Sequence, residues 1–171
     1  MSITIHFEGT LKDETAYEAV VSEASNLATE MSWPARPISE KKVTLLRVKG
    51  EKDWDYVGPV KGIEIRPHEN SDPLRLVFDR QLYVQEYIKT QFAPVEIHVA
   101  VSDFLKRLEP YFESFNVTDE GEYYDTNNLK KLEDHIQWCY KALDQYLDQE
   151  DKYYGPVRSA DGRIIDVLEK D

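Results

Sequence analysis

The stretch ITIHFEG, at residues 3–9, alternates apolar and polar side chains. Its apolar face carries Ile3, Ile5 and Phe7, and its polar face carries Thr4, His6 and Glu8. This period of two predicts a β-strand with one buried face. Apolar residues then recur at helical spacing, which predicts a helix over about 13–31 that starts with a variant of the capping box. Two prolines in WPARPIS end this helix, because proline cannot continue it.

The middle of the chain is predicted to form an antiparallel meander. Its expected strands lie at 41–50, 53–60, 61–67 and 73–79, and the second is the weakest because Gly58 and Pro59 interrupt it. Residues 80–92 fit neither the helical nor the strand period cleanly, and we interpret them as a helix.

The second half is predicted to add a helix from Pro94 to about Pro110, a short strand over 114–121 and a helix over about 127–149. Strands and segregated helices in this order indicate an α+β fold. We expect a ferredoxin-like split βαβ core with a mainly antiparallel sheet and an additional C-terminal helix. The chain reads as one domain, 1–171, with that helix and the tail 150–171 packed on it.

Composition narrows the class of protein. The chain has 33 acidic and 21 basic residues and a net charge of -12, which disfavours binding to nucleic acid or to anionic membranes. It has one cysteine, no apolar stretch that could span a bilayer and no signal peptide, so we expect a cytoplasmic protein. The charge either keeps the protein soluble or steers it toward a basic partner.

Residues 119–128, DEGEYYDTNN, concentrate four carboxylates. Oxygen ligands of this kind suit calcium or magnesium, but the spacing is not that of a calcium-binding loop. Gly121 allows a tight turn, and Asp125, Thr126 and Asn127 are all suitable N-caps for the helix that follows. We interpret the segment as a solvated turn and a helix cap, with metal or substrate binding as the alternative.

Metal ligation and acid–base chemistry have only weak candidates among the histidines. His6 and Glu8 share one strand face and could form a metal site with His68, although no zinc-enzyme spacing is present. We therefore predict neither a metal nor another cofactor. His98 could work as an acid or base with Asp119 or Glu120 if the last strand runs beside it, and Lys89 or Thr90 could add a contact. The alternative is that His98 only packs at a helix end.

Aromatic residues suggest a binding surface. The chain has 11 tyrosines, and Tyr123 and Tyr124 lie beside the acidic Asp119 and Glu122. Aromatic side chains bury much area at interfaces with few rotatable bonds. Trp138, on the polar face of the last helix, is the strongest anchor candidate, although it could instead pack against the C-terminal tail. Cys139 lies on the apolar face of the same helix and is expected to be a buried thiol.

Two hypotheses follow. The first is a non-enzymatic interaction domain, similar in profile to inhibitor, immunity or adaptor proteins, that binds a basic partner protein. The second is a small enzyme or ligand-binding domain that uses the polar sheet face. A deep pocket lined by His6, Glu8, His98 and Glu120 would favour the second hypothesis, and an exposed aromatic patch rimmed by carboxylates would favour the first. Self-association through an exposed strand edge or the last helix is compatible with both.

Overall fold

The structure, a computed structural model, describes residues 2–50, 52–149 and 151–171. The α-helices in these ranges are α1 (Glu14–Met31), α2 (Val95–Leu108), α3 (Tyr123–Thr126) and α4 (Leu129–Leu147). A 3-10 turn, Glu109–Tyr111, follows α2 and contains Pro110. No helix in the described ranges combines the length and the apolar character that crossing a membrane requires.

Six strands form two antiparallel sheets. These strands are β1 (Thr4–Leu11), β2 (Ala35–Lys49), β3 (Lys52–Ile65), β4 (Leu74–Phe78), β5 (Tyr83–Lys89) and β6 (Phe112–Asp119). The sheet orders are β5-β1-β6 and β2-β3-β4. The tail adds β7 (Tyr153–Tyr154), β8 (Val157–Arg158), β9 (Ile164–Ile165) and β10 (Leu168–Glu169), which pair as β10-β7 and β8-β9. The fold is therefore mixed α+β with antiparallel sheets, as the sequence predicts.

Strand β1 has the two faces that its sequence predicts. Ile5 and Phe7 are buried in the main core, which also contains residues of α1 and α2, whereas His6 is exposed on the opposite face. The first helix begins where expected, because the Asp13 carboxylate accepts a hydrogen bond of 2.8 Å from the Ala16 N–H. The helices cover one face of the sheet that contains β1, so the polar side chains of β1 lie on the other face.

Strands β2 and β3 are longer than predicted and form a projecting hairpin. The prolines end α1 as predicted, but the next strand begins earlier than residue 41. Pro37 lies within β2, which is an edge strand, where a residue without an N–H is tolerated. The two strands predicted at 53–60 and 61–67 are one strand. A register shift between Glu40 and Val43 separates the base of the hairpin from its outer part. We call that outer part, residues 43–50 and 52–57, the arm.

The helix predicted over 80–92 is wrong, because residues 83–89 form β5, the direct neighbour of β1. Val84 and Ile88 are fully buried, while Tyr87 faces outward, which is a strand period. The chain enters β5 through a tight turn in which Leu82 has a φ of 59°. The Asp79 carboxylate stabilises the turn by accepting from the N–H groups of Gln81 and Tyr83.

The last long helix starts slightly later than predicted. Its N-cap is Asn128, whose side chain accepts from the Lys131 N–H at 3.1 Å, so the cap predicted among residues 125–127 is wrong. Leu132, Cys139 and Leu143 are buried on one face of α4, as the apolar stripe predicts. The tail is attached to the body partly through Lys89, whose ammonium group lies 2.5 Å from the Asp166 carboxylate.

Candidate functional site

A cleft of about 810 Å³ lies over the polar face of the β5-β1-β6 sheet. Strand register builds its floor, because directly paired residues point to the same face. His6 is paired with Tyr87 on one side and Thr118 on the other. Glu8 is paired in the same way with Gln85 and Asn116. The polar floor is therefore made by the even-numbered residues of β1 and β6 and the odd-numbered residues of β5.

Two other parts of the chain raise walls around this floor. Residues Leu45–Val48 of the arm form one wall, and Asp161 and Arg163 of the tail contribute another. The walls differ in character, because the arm brings aliphatic side chains and the tail brings charged ones. We call the whole cavity the arm cleft.

The arm is held against the sheet by side chains of β5 and its turn. The Gln85 amide donates to the Val48 carbonyl at 2.6 Å and accepts from the Val48 N–H at 2.8 Å. These are the two backbone hydrogen bonds that a neighbouring strand would make with Val48. Arg47 is only 2% exposed. Its guanidinium lies 3.4 Å from the Asp79 carboxylate and donates to the carbonyl of Tyr83 at 3.4 Å. Burial of a charge next to an opposite charge makes this contact specific for one arm position.

Glu8 is a hydrogen-bonded acceptor on the cleft floor. Its carboxylate accepts from the Tyr83 hydroxyl at 2.8 Å and from the Gln85 amide at 2.9 Å. Burial, followed by the hydrogen bond to the neighbouring Glu8 carboxylate, raises the pKa of Tyr83 to about 12. Tyr83 therefore remains a neutral donor near neutral pH, and its hydroxyl orients the Glu8 carboxylate.

Other groups of the floor are available to a ligand. Among the described residues, the side chains of Asn116 and Thr118 have no hydrogen-bond partner, and both are exposed. The His6 ring lies 5.9 Å from the Tyr87 ring, centroid to centroid, and Tyr87 is exposed as well. The floor thus offers amide, hydroxyl, imidazole and aromatic surfaces beside a carboxylate.

The proposed metal set does not come together. His6 pairs with Glu120, with 2.9 Å between Nε2 and Oε1, while His68 lines a separate cavity of about 410 Å³ with Trp33 and Arg66. Within residues 2–50, 52–149 and 151–171, no group of three His, Cys, Asp or Glu side chains lies close enough to hold a metal ion.

The structure does bring His98 and Asp119 together, deep inside the protein. The His98 Nε2 is 2.9 Å from the Asp119 carboxylate, and its Nδ1 is 2.6 Å from the Thr90 hydroxyl. Asp119 also accepts from the N–H groups of Gly121, Tyr123 and Tyr124. All three side chains are buried, and none of them lines the arm cleft or the cavity beside His68. The hydrogen bonds of this Thr90–His98–Asp119 cluster join α2, β6 and α3 in the interior.

The segment DEGEYYDTNN, interpreted from its sequence as a solvated turn and a helix cap, is solvated only in part. Asp119 is a buried acceptor and not a solvated one. The Glu122 side chain is 46% exposed, and its hydrogen bonds from His135 and Lys131 lower its pKa. Tyr123 and Tyr124 are both buried, so their rings are not presented to a partner in this structure.

Trp138 remains on the surface. Its side chain is 59% exposed, and within the described part of the chain it makes no ring contact. The Trp138 ring therefore stacks on no aromatic side chain in the described part of the tail, and it is available as an anchor for a binding partner.

Sequence reasoning missed three parts of the cleft: the arm, Tyr87 and Arg163. The alternation of Tyr83, Gln85 and Tyr87 with Val84 was the signal that could have identified β5. No sequence signal indicates that the arm bends over the sheet or that Arg163 returns to it, because both depend on contacts between distant segments. Comparisons with protein-family models, with curated proteins and with solved structures find no match to this chain.

Proposed function

We propose that this chain is a non-enzymatic protein-interaction domain and that its arm cleft binds a basic segment of another protein. One observation carries the proposal: aliphatic side chains of the arm stand exposed beside a polar floor that contains free hydrogen-bonding groups.

The apolar side chains of the arm form one surface. Leu46 is 65% exposed, Val48 47% and Val57 49%. Leu46 and Val48 are two residues apart on β2, and Val57 is paired with Thr44, so all three point to the same face of the hairpin. Single exposed apolar residues are common, but a contiguous group beside a cleft is typical of a binding surface.

The negative charge of the protein favours a basic partner over an acidic one. The net charge is -12, and the basic side chains that line the cleft are already neutralised, Arg47 by Asp79 and Arg163 by Glu86. Glu8 on the floor and Glu120 beside His6 keep negative charge near the site. A basic segment gains attraction over a long distance, whereas an acidic segment is repelled.

A small-molecule ligand is the second candidate, and the size of the cleft favours it. A volume of about 810 Å³ falls within the range of roughly 300–1,000 Å³ that is usual for small-molecule sites. In that case the His6, Asn116 and Thr118 side chains would bind polar groups of the ligand, and the arm would cover its apolar part.

We extend the proposal to the topology of the fold and to the location of the protein in the cell. We propose a ferredoxin-like core of β1, α1, β4, β5, α2 and β6, with β2 and β3 added beside β4. The position of β1 between β5 and β6 supports this arrangement, because a split βαβ core has its first strand between its last two. A cytoplasmic location is supported by the single cysteine, Cys139, which is buried as a free thiol.

Quantitative affinity purification tests the function. The wild-type chain is compared with Leu46→Asp in the arm, with Trp138→Ala on α4 and with Met31→Asp, an exposed control on α1 that is 42% exposed. We expect a basic protein that co-purifies with the wild type and with Met31→Asp to fall at least about tenfold with Leu46→Asp, since a charge is then buried in the contact.

Other outcomes have clear meanings. Loss of the partner on Trp138→Ala but not on Leu46→Asp would move the interface to α4. Equal recovery with every variant would contradict the arm cleft as the binding surface. A small molecule that is retained in native mass spectra of the wild type and lost with Asn116→Ala would support the second candidate.

A further inference from the structure

The Arg163 side chain is enclosed by the body of the protein. Its guanidinium carbon lies 3.8 Å from the centroid of the Tyr87 ring. One amino group is 2.6 Å from the Glu86 carboxylate, and the other donates to the Tyr87 carbonyl at 2.7 Å. The Asp72 carboxylate lies 3.5 Å away. We call Asp72, Glu86 and Tyr87 the guanidinium cage.

The side chains of the cage all belong to the body of the protein. Tyr87 and Glu86 lie in β5, and the Asp72 carboxylate accepts a hydrogen bond of 2.9 Å from the Lys89 N–H. Arg163 comes from the other end of the chain, in the turn between β8 and β9. The body therefore contributes the aromatic face, two carboxylates and a carbonyl, and the tail contributes the cation and one backbone donor, the Ile164 N–H, which lies 2.7 Å from the Asp72 carboxylate.

The composition of the cage suits arginine more than lysine. A planar guanidinium stacks on an aromatic ring while its edge donates to carboxylate and carbonyl acceptors, whereas a lysine ammonium cannot do both in one plane. Burial raises the pKa of Glu86, and the neighbouring Arg163 opposes that rise. The ionised Glu86 carboxylate is thus stabilised by a guanidinium beside it.

We propose that the guanidinium cage is the recognition site for an arginine side chain of the basic partner, which takes the place of Arg163. This inference rests on the proposed function, because Glu86, Tyr87 and Arg163 line the arm cleft. In the free protein Arg163 occupies the cage as an internal ligand. A partner must displace Arg163. The apparent affinity of the partner is therefore its intrinsic affinity multiplied by the fraction of molecules in which Arg163 has left the cage.

The first test uses Arg163→Ala and N-methylguanidinium as the probe. We expect low-millimolar N-methylguanidinium to raise the Tm of Arg163→Ala by roughly 2–5 °C, as binding to the native state requires, and to leave the wild type unchanged. Methylammonium should have no effect on either protein. The Tm increase should be larger at pH 8 than at pH 5, because the pKa of Glu86 is raised and its carboxylate must be ionised.

Two variants keep this test specific. Arg158→Ala removes the other tail arginine, which donates to the carbonyls of Gly162 and Ser71 and stacks on no ring, so the probe should not stabilise it. The double variant Arg163→Ala, Glu86→Gln should lose the effect of the probe. An equal Tm increase in Arg158→Ala, or no increase in Arg163→Ala, would overturn the cage.

The second test measures binding in trans. A short Gly/Ser peptide that contains one arginine is titrated by calorimetry into the wild type and into Arg163→Ala, with a lysine version of the peptide as the control. We expect the arginine peptide to bind Arg163→Ala at least about tenfold more tightly than the wild type. Equal affinities, or equal binding of the lysine peptide, would refute displacement of Arg163.

The two proposals fail separately. If the cage binds no guanidinium but Leu46→Asp still releases the partner, the partner binds the cleft without an arginine. If the cage binds arginine but Leu46→Asp releases nothing, the cage stands and the arm cleft is not the interface.

Discussion

His98 shows how one buried polar residue can stabilise several elements. It bridges Thr90 and Asp119, so removing its ring leaves the buried Thr90 hydroxyl without its partner and takes one of four donors from the buried Asp119 carboxylate. We expect His98→Ala to lower the free energy of unfolding by about 3 kcal/mol in urea titrations followed by circular dichroism. His135→Ala is the matched control, because its ring is 38% exposed and pairs with Glu122 at the surface. Its loss should be within about 0.5 kcal/mol, and equal losses would contradict this role of His98.

Asp119 adds a pH dependence in the acid range. Burial alone would raise its pKa, but the hydrogen bond and charge of His98 and the backbone N–H donors outweigh burial and hold the pKa below its ordinary value of 3.8. The carboxylate is therefore easier to ionise in the folded state than in the unfolded state. Its contribution to stability is complete above the ordinary pKa and is lost as the pH falls from there through the lowered pKa of the folded state. We expect the stability difference between wild type and Asp119→Asn to be largest near pH 7 and to shrink below about pH 4. A difference that stays constant down to pH 3 in urea titrations would contradict this assignment.

At the scale of elements, the arm depends on a contact that is specific but weak. The bonds of Arg47 to Asp79 and to the Gln85 carbonyl are long, at 3.4 and 3.3 Å, and the Arg47 Nε has no partner among the described residues. In Arg47→Met the Asp79 carboxylate loses its buried ion pair but keeps the N–H donors of Gln81 and Tyr83, so it is not left without partners. The contact therefore fixes where the arm lies more than it stabilises the fold.

Hydrogen exchange tests this role of Arg47. In Arg47→Met we expect the arm amides, residues 43–50 and 52–57, to exchange at least about tenfold faster, while those of β1 keep their protection. Lys49→Met, a change at an exposed site of the same hairpin, should leave the arm unchanged. Faster exchange throughout the chain would instead mean that Arg47 stabilises the whole fold.

The same elements show how far the sequence could predict the fold. Local periods were sufficient for β1, α1 and α4, because each buries one continuous apolar face. The period of β5 was obscured by Glu86, a charged residue among buried ones, whose position is explained by its ion pairs with Arg75 of β4 and Arg163 of the distant tail. The start of β2 before residue 41 was missed, because the edge position that accommodates Pro37 depends on a partner strand, β3, that local sequence does not reveal.

The candidate site was predicted in part. The polar face with His6 and Glu8 followed from the alternation in β1, and the approach of His98 to Asp119 followed from placing β6 beside α2. The burial of Tyr123 and Tyr124 could not be foreseen, because the short helix α3 turns both rings inward after Glu122, whose φ is 57°. The arm and the guanidinium cage also lay beyond prediction, since each joins segments far apart in the chain.

At the scale of the whole molecule, charge and apolar surface should govern different steps of binding. A net charge of -12 acts over a distance of about 10 Å in dilute salt, so it speeds the encounter with a basic partner. The aliphatic side chains of the arm act only on contact, so they slow dissociation. Mutations in the two features should therefore change different rate constants.

Association kinetics with the co-purified partner test this division. We expect the association rate of the wild type to fall at least about tenfold between roughly 0.05 and 0.5 M salt, with a smaller change in the dissociation rate. Leu46→Ala should show the same salt dependence as the wild type but dissociate faster, because it removes apolar contact and leaves the charge unchanged. An association rate that does not respond to salt would mean that the acidic surface serves solubility alone, and that the partner is recognised by the shape and apolar contacts of the cleft.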